Sequence, residues 1–432
     1  MKKRIFAIFL AVLLVITAVT FVGCSDDVND GNNGVYNQLP TNGENDSETV
    51  DTTPEIPDYI TIRGTRYSTS LTELDLNGLQ LTNIDIEPLR YMTNLTTLYL
   101  GNNRISDISA LAELAALERL FLFGNQIIDI SPLSELTNLI QLDLNSNIIS
   151  DVSIFPNLVN LEILILGGNR LTDISALAEL INLTSLWLNV NQIVDVSPLI
   201  GLTNLEQLLL NGNQISDISA LANLSNLELV WLHHNQVKDI SSLSELTDLE
   251  NLVLQGNNIN DISALTNLTN LRSLHLAENQ IRDISVLGEL TNLEELWLWN
   301  NDIDDISVLA NLTNLTFLHF HGNRVEDISV LAELTNLGRL IVGDNQVSDI
   351  SPLAGLTNLT TLSLHENYIS DISVLAELTN LESLALTGNQ ISDISVLAKL
   401  TNLTWLTLDN NQISTEQITL LKAILPNAEI IS

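Results

Sequence analysis

A 22-residue period governs this chain. Leu271 to Asn292 reads Leu-Arg-Ser-Leu-His-Leu-Ala-Glu-Asn-Gln-Ile-Arg-Asp-Ile-Ser-Val-Leu-Gly-Glu-Leu-Thr-Asn, and nearly the same skeleton returns from Leu293 to Asn314. Leu293, Leu296, Leu298, Asn301, Ile303, Asp305, Ile306, Ser307, Leu309 and Leu312 hold the matching places in that next copy. So short a unit has an apolar edge but no closed core, and it buries that edge only against copies of itself. The period therefore predicts a solenoid with a long, thin core. Fourteen 22-residue units run from Leu95 to Asn402. An irregular 24-residue unit, Leu71 to Asn94, precedes them, with Leu79 where later copies have Asn, and a truncated unit starts at Leu403. For an aperiodic chain, 432 residues would suggest two or three domains; here length sets the number of coils.

Each column of the repeat has a physical task. The Leu-x-Leu alternation predicts a short strand with leucines inward and the intervening residues outward. The asparagines from Asn103 to Asn411 recur without a gap, and an amide that both donates and accepts suits the backbone groups of a buried turn, one coil bridging to the next. The aspartates from Asp107 to Asp393 are equally regular. A cation-binding stripe is one reading of them. The simpler one is that each carboxylate bonds the backbone of its own turn. Ser131-Pro132, Ser197-Pro198 and Ser351-Pro352 predict Ser at an N-cap and Pro at the first helical position. Triplets such as Asn182-Leu183-Thr184 match a glycosylation acceptor but read as a by-product of the repeat.

The skeleton Leu-x-x-Leu-x-Leu-x-x-Asn-x-Ile/Leu/Val resembles leucine-rich repeats. Its companion Asp-Ile-Ser-x-Leu-x-x-Leu-Thr-Asn is similar to the 22-residue bacterial class found in the internalins, and the resemblance covers about four-fifths of the chain. It implies an α/β repeat fold, a curved solenoid with a parallel β-sheet on the concave face and short 3-10 or helical turns on the convex face. Internalins as a family bind host receptors, so the resemblance also implies a binding function.

Lys2, Lys3 and Arg4 precede an apolar run from Ile5 to about Val22, which ends in Phe21-Val22-Gly23-Cys24. This resembles the lipobox of bacterial lipoproteins and implies cleavage after Gly23 with diacylglyceryl attachment to Cys24. Cys24 is the only cysteine, which excludes an internal disulfide framework and a cysteine-based zinc cage. The expected organisation is a lipoprotein signal peptide (1–23), then a polar, acidic tether (24–57) too poor in large apolar residues to offset its ordering entropy. A short N-terminal β cap (58–70), the leucine-rich repeats (71–412) and a C-terminal cap (413–432) follow. In that last segment Ser414 is positioned to cap a helix carrying Ile418, Leu421, Ile424 and Leu425, Pro426 stops it, and a final strand is expected over Ala428 to Ile431.

The chain has 53 acidic against 16 basic residues, a net charge of −37. That balance excludes a nucleic-acid backbone and direct docking on anionic lipid, leaves the membrane to the anchor alone, and favours basic or neutral partners besides aiding solubility. Core columns cannot vary without leaving cavities, so function is sought at the outward strand positions. All five tryptophans (Trp187, Trp231, Trp297, Trp299, Trp405) and all six histidines (His233, His234, His275, His319, His321, His365) fall between or beside the strand leucines. β propensity accounts for isolated aromatics, but not for the histidines or the pair Trp297 and Trp299. Arg119, Arg170, Arg324 and Arg339 add positive charge in related positions. The candidate ligand-binding face is Tyr99, Phe121, Phe123, Trp187, Trp231, His233, His275, Trp297, Trp299, Phe317, His319, His321, Arg339, His365 and Trp405, densest from Trp231 to His321.

A surface of this kind predicts a monomer that binds a protein ligand. A glycan or cell-wall polymer stacking on the same rings, and a structural spacer without a ligand, are the alternatives. His319 and His321 lie two apart, but the other histidines lie a coil or more away, so no metal site is expected. No Ser-His-Asp order, phosphate loop or paired carboxylates stands out from the repeat background, so neither catalysis nor a cofactor is expected. With the lipid anchor, the expected location is the outer face of a membrane at a bacterial cell surface.

Overall fold

The computed structural model describes residues 56–432. The signal peptide, the lipidation site Cys24 and nearly all of the tether expected over 24–57 lie outside the described residues. Tyr59–Ile62 (β1) and Thr65–Ser68 (β2) form an antiparallel hairpin in which Ile60 and Ile62 point inward and are buried. Seventeen parallel strands follow, from Glu73–Asp75 (β3) to Glu429–Ile431 (β19). They pair in chain order with one unchanging register, so that Leu296 lies beside Leu318 and Trp297 beside His319. Among the described residues no pairing joins β3 to β19, and the sheet is open.

The opposite wall consists of short 3-10 turns such as Ser307–Asn311 and Ser329–Glu333. Strands pack about 4.8 Å apart, while the bulkier turns need more room per coil, so the stack curves with the sheet inside. Between the two walls runs one continuous core. Leu296, Leu298, Ile303, Ile306, Leu309 and Leu312 fill one layer of it.

Two asparagine ladders stitch the coils together. Asn301 Nδ2 donates to Leu276 O of the preceding coil and to Leu298 O of its own, each at 3.0 Å, while its Oδ1 accepts from Ile281 N at 3.0 Å. The same pattern begins at Asn103 and ends at Asn411. The second ladder belongs to the asparagine that closes most repeats: Asn314 Nδ2 donates to Thr291 O at 2.9 Å, as Asn182 does to Val159 O, and Asn138, Asn160 and Asn204, which no Leu-Thr follows, make the same bond. Where a triplet begins at this closing asparagine, as at Asn182 and Asn314, what reads in sequence as a by-product satisfies a carbonyl of the preceding coil.

The aspartates serve the turns. Asp305 Oδ1 accepts from Ser307 N–H at 2.8 Å, the bond that chiefly holds its carboxyl below the usual range. The expected Ser N-cap is corrected here. Ser307 is the first residue of its turn, Ile306 occupies the cap position with its side chain in the core, and the capping acceptor is the aspartate two residues before the serine. Pro352 accordingly stands second in its turn, after Ser351, instead of first. A serine at the cap would leave no inward position for the isoleucine, and burial of that side chain outweighs a hydroxyl cap.

At the far end, helix Thr415–Ile424 is capped by Ser414 Oγ, which accepts from Gln417 N–H at 3.3 Å, and it buries Leu421 against the last coil. No helix among the described residues is long and apolar enough to cross a membrane.

Candidate binding face

Each strand presents three outward positions to the concave side, exemplified by Glu295, Trp297 and Trp299. Register carries these into columns. The second column runs Tyr99, Phe121, Asp143, Ile165, Trp187, Leu209, Trp231, Val253, His275, Trp297, His319 and Ile341. Phe123, His233, Trp299, His321 and His365 belong to the third column, and Phe317, Arg339 and Trp405 to the first. Arg119 joins that first column, whereas Arg170 and Arg324 do not reach the face. Each of the latter follows a ladder asparagine at the coil's edge, where Arg324 Nη2 donates to Asp302 Oδ1 at 2.5 Å.

From His275 to His365 the rings form one continuous cluster. His275 stacks on Trp297 with centroids 4.8 Å apart, and Trp297 leans on Phe317 at 4.8 Å and on His319 at 5.6 Å. Trp299 stacks beside His319 at 5.9 Å. His321 and His365, two coils apart, stack at 5.0 Å across Gly343, where a Cβ would collide with the His365 ring. Arg339 lies 4.9 Å over Phe317, a cation–π contact. Phe317 itself is only 6% exposed, sealed by Trp297 and Arg339, so it is a floor beneath the cluster and not a contact surface.

Trp231, His233 and His234 form a smaller group, separated from the cluster by Val253; His234, in a left-handed turn at the sheet's edge, meets His233 edge-on at 5.4 Å. Towards the N-terminal end Tyr99 and Phe121 are coplanar within 6° at 4.6 Å, and Phe123 covers Gly101. Trp187 lies in its column between Ile165 and Leu209. Trp405 stands towards the other end, 38% exposed, and with His365 walls a depression of about 400 Å³ floored by Ser363, Ser383 and Ala385.

First-column side chains and their neighbours fix several rings. Ser185 Oγ accepts from Trp187 Nε1 at 3.0 Å, Asn251 Oδ1 accepts from Trp231 Nε1 at 3.0 Å, and Ser363 Oγ lies 2.7 Å from His365 Nδ1. Other polar atoms are enclosed with no hydrogen-bond partner among the described residues: Trp297 Nε1, Trp299 Nε1, and Nδ1 of His233, His319 and His321. An enclosed donor or acceptor with no partner costs about 1–3 kcal/mol, so these nitrogens are a local cost within the cluster. Burial also pushes His233, His275 and His319 down to about 4, the first helped by His234 and the last by His321, which keeps these imidazoles uncharged at neutral pH.

One residue of this face was not singled out from the sequence. Asp143, in strand Gln141–Asp143 (β6), sits half-buried in the second column between Phe121 and Ile165. Its Oδ1 accepts from Asn145 N–H at 3.0 Å, and desolvation pushes its carboxyl up to about 6. No Lys or Arg forms an ion pair with it among the described residues. Reading the whole column, and not only its rings, would have found it.

The leucine rich repeat family matches residues 69–127 and 357–413, and its two-copy form matches six consecutive blocks between 116 and 377. This chain is a leucine-rich-repeat protein. It is similar to an internalin (inlF) of Listeria monocytogenes, at 38% identity over 74% of this chain and 88% of that one, with a TM-score of 0.62. A leucine-rich-repeat protein of Leptospira interrogans matches at 28% identity over 84% of this chain and 96% of that one, with a TM-score of 0.76. The Arabidopsis receptor kinase HAESA, solved with the peptide hormone IDA and the co-receptor SERK1, matches at 21% identity over 84% and 74% of the two chains, with a TM-score of 0.65; at that identity the likeness is one of fold. No curated protein matches the chain. Leucine-rich-repeat proteins are generally protein-binding modules and typically not enzymes.

Proposed function

We propose that this protein is a lipid-anchored, cell-surface leucine-rich-repeat protein that binds a protein partner through the concave ring cluster centred on Trp297, and that it has no catalytic activity. The observation that carries the reading is the unbroken run of half-buried rings from His275 through Trp297, Trp299 and His319 to His365 on the concave face. Packing of the coil needs the inward leucines but not these outward rings; a partner surface takes their exposed apolar faces out of water. Likeness to an internalin of a bacterium supports a surface role, and the lipobox-like Phe21-Val22-Gly23-Cys24 supports the anchor.

Replacing Trp231, Trp297 and Trp299 together with alanine is expected to abolish capture of a protein partner by the full-length chain. Unchanged capture by the triple variant would leave the solenoid a spacer. Mass spectrometry of Cys24 in the exported protein tests the anchor; an unmodified cysteine would refute it.

A second reading has its own observation. The depression between His365 and Trp405, with hydroxyls from Ser363 and Ser383 in its floor, suits a sugar ring stacked on the indole. Binding of purified cell-wall glycan that is lost in Trp405→Ala but kept in the triple variant would favour it.

A further inference from the structure

We propose that Asp143 anchors a lysine or arginine side chain of the protein partner, in a second contact site on the concave face distinct from the ring cluster. The inference rests on the protein-binding reading above and adds to it the chemistry of one contact.

The argument starts from what the repeat does not need. Asp75, in the irregular first unit, holds the same column position and accepts from Asn77 N–H as Asp143 does from Asn145 N–H. Tyr99 and Phe121 stand there in the two coils between, and every later coil, from Ile165 through Trp187, Trp231, Trp297 and on to Thr407, carries no acidic side chain while keeping the same strand and register. Asp143 is therefore not required by the coil. Its setting is unfavourable to a carboxylate: Phe121 and Ile165 flank it across the sheet, and Tyr99 stacks on the far side of Phe121. Among the described residues, the backbone N–H of Asn145 is the one donor it accepts from. Unlike the turn aspartates, which lie on the exposed edge of the coil, this one faces the concave side with a second oxygen uncommitted.

A cationic side chain fits each of these features. Its charge meets the uncommitted oxygen, its aliphatic stem packs on Ile165, and the aromatic pair beside it tolerates a guanidinium or ammonium. In a half-buried site a charge-assisted bond is stronger than in open water. The net charge of −37 draws basic surfaces towards the protein at long range, and Asp143 gives one such group a fixed seat.

The test pans a phage-displayed library of random dodecapeptides on the immobilised full-length chain and on its Asp143→Asn and Trp297→Ala variants. Asparagine keeps the shape and can still accept from Asn145 N–H, so the variant is expected to fold, and thermal unfolding checks that it does. Peptides selected on the parent chain should be enriched in Lys or Arg next to apolar residues. Their affinity, by calorimetry, should fall at least tenfold on Asp143→Asn. Changing the basic residue of the peptide to Gln should cause the same loss on the parent chain and no further loss on the variant. Selected peptides without a basic residue, or basic peptides that bind Asp143→Asn as tightly as the parent, overturn this proposal. Peptides that depend on Trp297 but not on Asp143 overturn it while leaving the protein-binding reading intact. A library that yields nothing on the parent chain overturns both.

Discussion

Two stretches of the concave face are built on the same coil and present opposite chemistry. Around Trp297 the outward columns carry indoles and imidazoles, with Arg339 as the nearby cation. Around Asp143 they carry Phe121, Ile163 and Ile165 with one desolvated carboxylate, and Arg119 and Gln141 lie in the first column beside them. Beneath both, the ladder is the same: Asn169 bonds Leu144 O, Leu166 O and Ile149 N as Asn301 bonds its own three partners. The inward columns thus secure the coil independently of what faces outward, and the outward columns are free to differ from end to end.

If that separation is real, ladder mutations should not distinguish the stretches. Asn301→Ala and Asn169→Ala each strand one backbone N–H and leave two carbonyls with one amide donor instead of two, and each should destabilise the solenoid by about 2–4 kcal/mol in urea unfolding. Clearly unequal losses would mean that the two stretches do not share one scaffold. Trp297→Ala should come next. It uncovers Phe317, which should cost about 2–3 kcal/mol of stability, and it should weaken the partner complex at least about 30-fold by calorimetry. Phe121→Ala should weaken the same complex less.

Acid should pull the stretches apart. His275 and His319 are held near 4, below their ordinary 6.5, so the stability their neutral form contributes is present above 6.5 and lost as pH falls towards 4. Asp143 is held near 6, above its ordinary 3.8, so its penalty is present above 6 and disappears as pH falls through 6 towards 3.8. Between pH 7 and 4 amide protection, taken relative to the intrinsic exchange rate at each pH, should therefore fall around His275 and His319 and rise around Asp143. Each group should contribute on the order of 1 kcal/mol after solvent screening. Movement in the same direction at both places would contradict the contrast. The smallest effect is expected of Gly343→Ala, which displaces the His365 ring from its stack on His321 and should cost about 0.5–1.5 kcal/mol of local stability, with no change near Asp143.

Most of the fold can be read from the sequence because its cause is periodic: inward leucines and ladder asparagines recur once in every coil, and stacking is the arrangement that buries and satisfies them all. The columns likewise put the rings on the concave side. Periodicity could not tell which rings touch. The His321–His365 stack depends on the intervening coil having glycine at 343, and Phe317 becomes a floor because Trp297 and Arg339 fold over it. Asp143 escaped notice because aspartate is common in this chain and only its column distinguishes it from the turn-capping carboxylates. The role of the triplet asparagines escaped for a related reason, since a motif that matches a glycosylation acceptor conceals an amide whose job is mechanical.

The open parallel sheet has a metrical consequence. Asp143 and Trp297 are separated by seven strand-to-strand steps, which at about 4.8 Å each is roughly 34 Å along the sheet. A partner engaging both must span the width of a small domain. Excising two whole coils between them would bring the seats closer by two such steps, about 10 Å, while leaving each intact. The gene can thus retune the reach of the protein by gaining or losing copies, as one resets a caliper without changing its jaws.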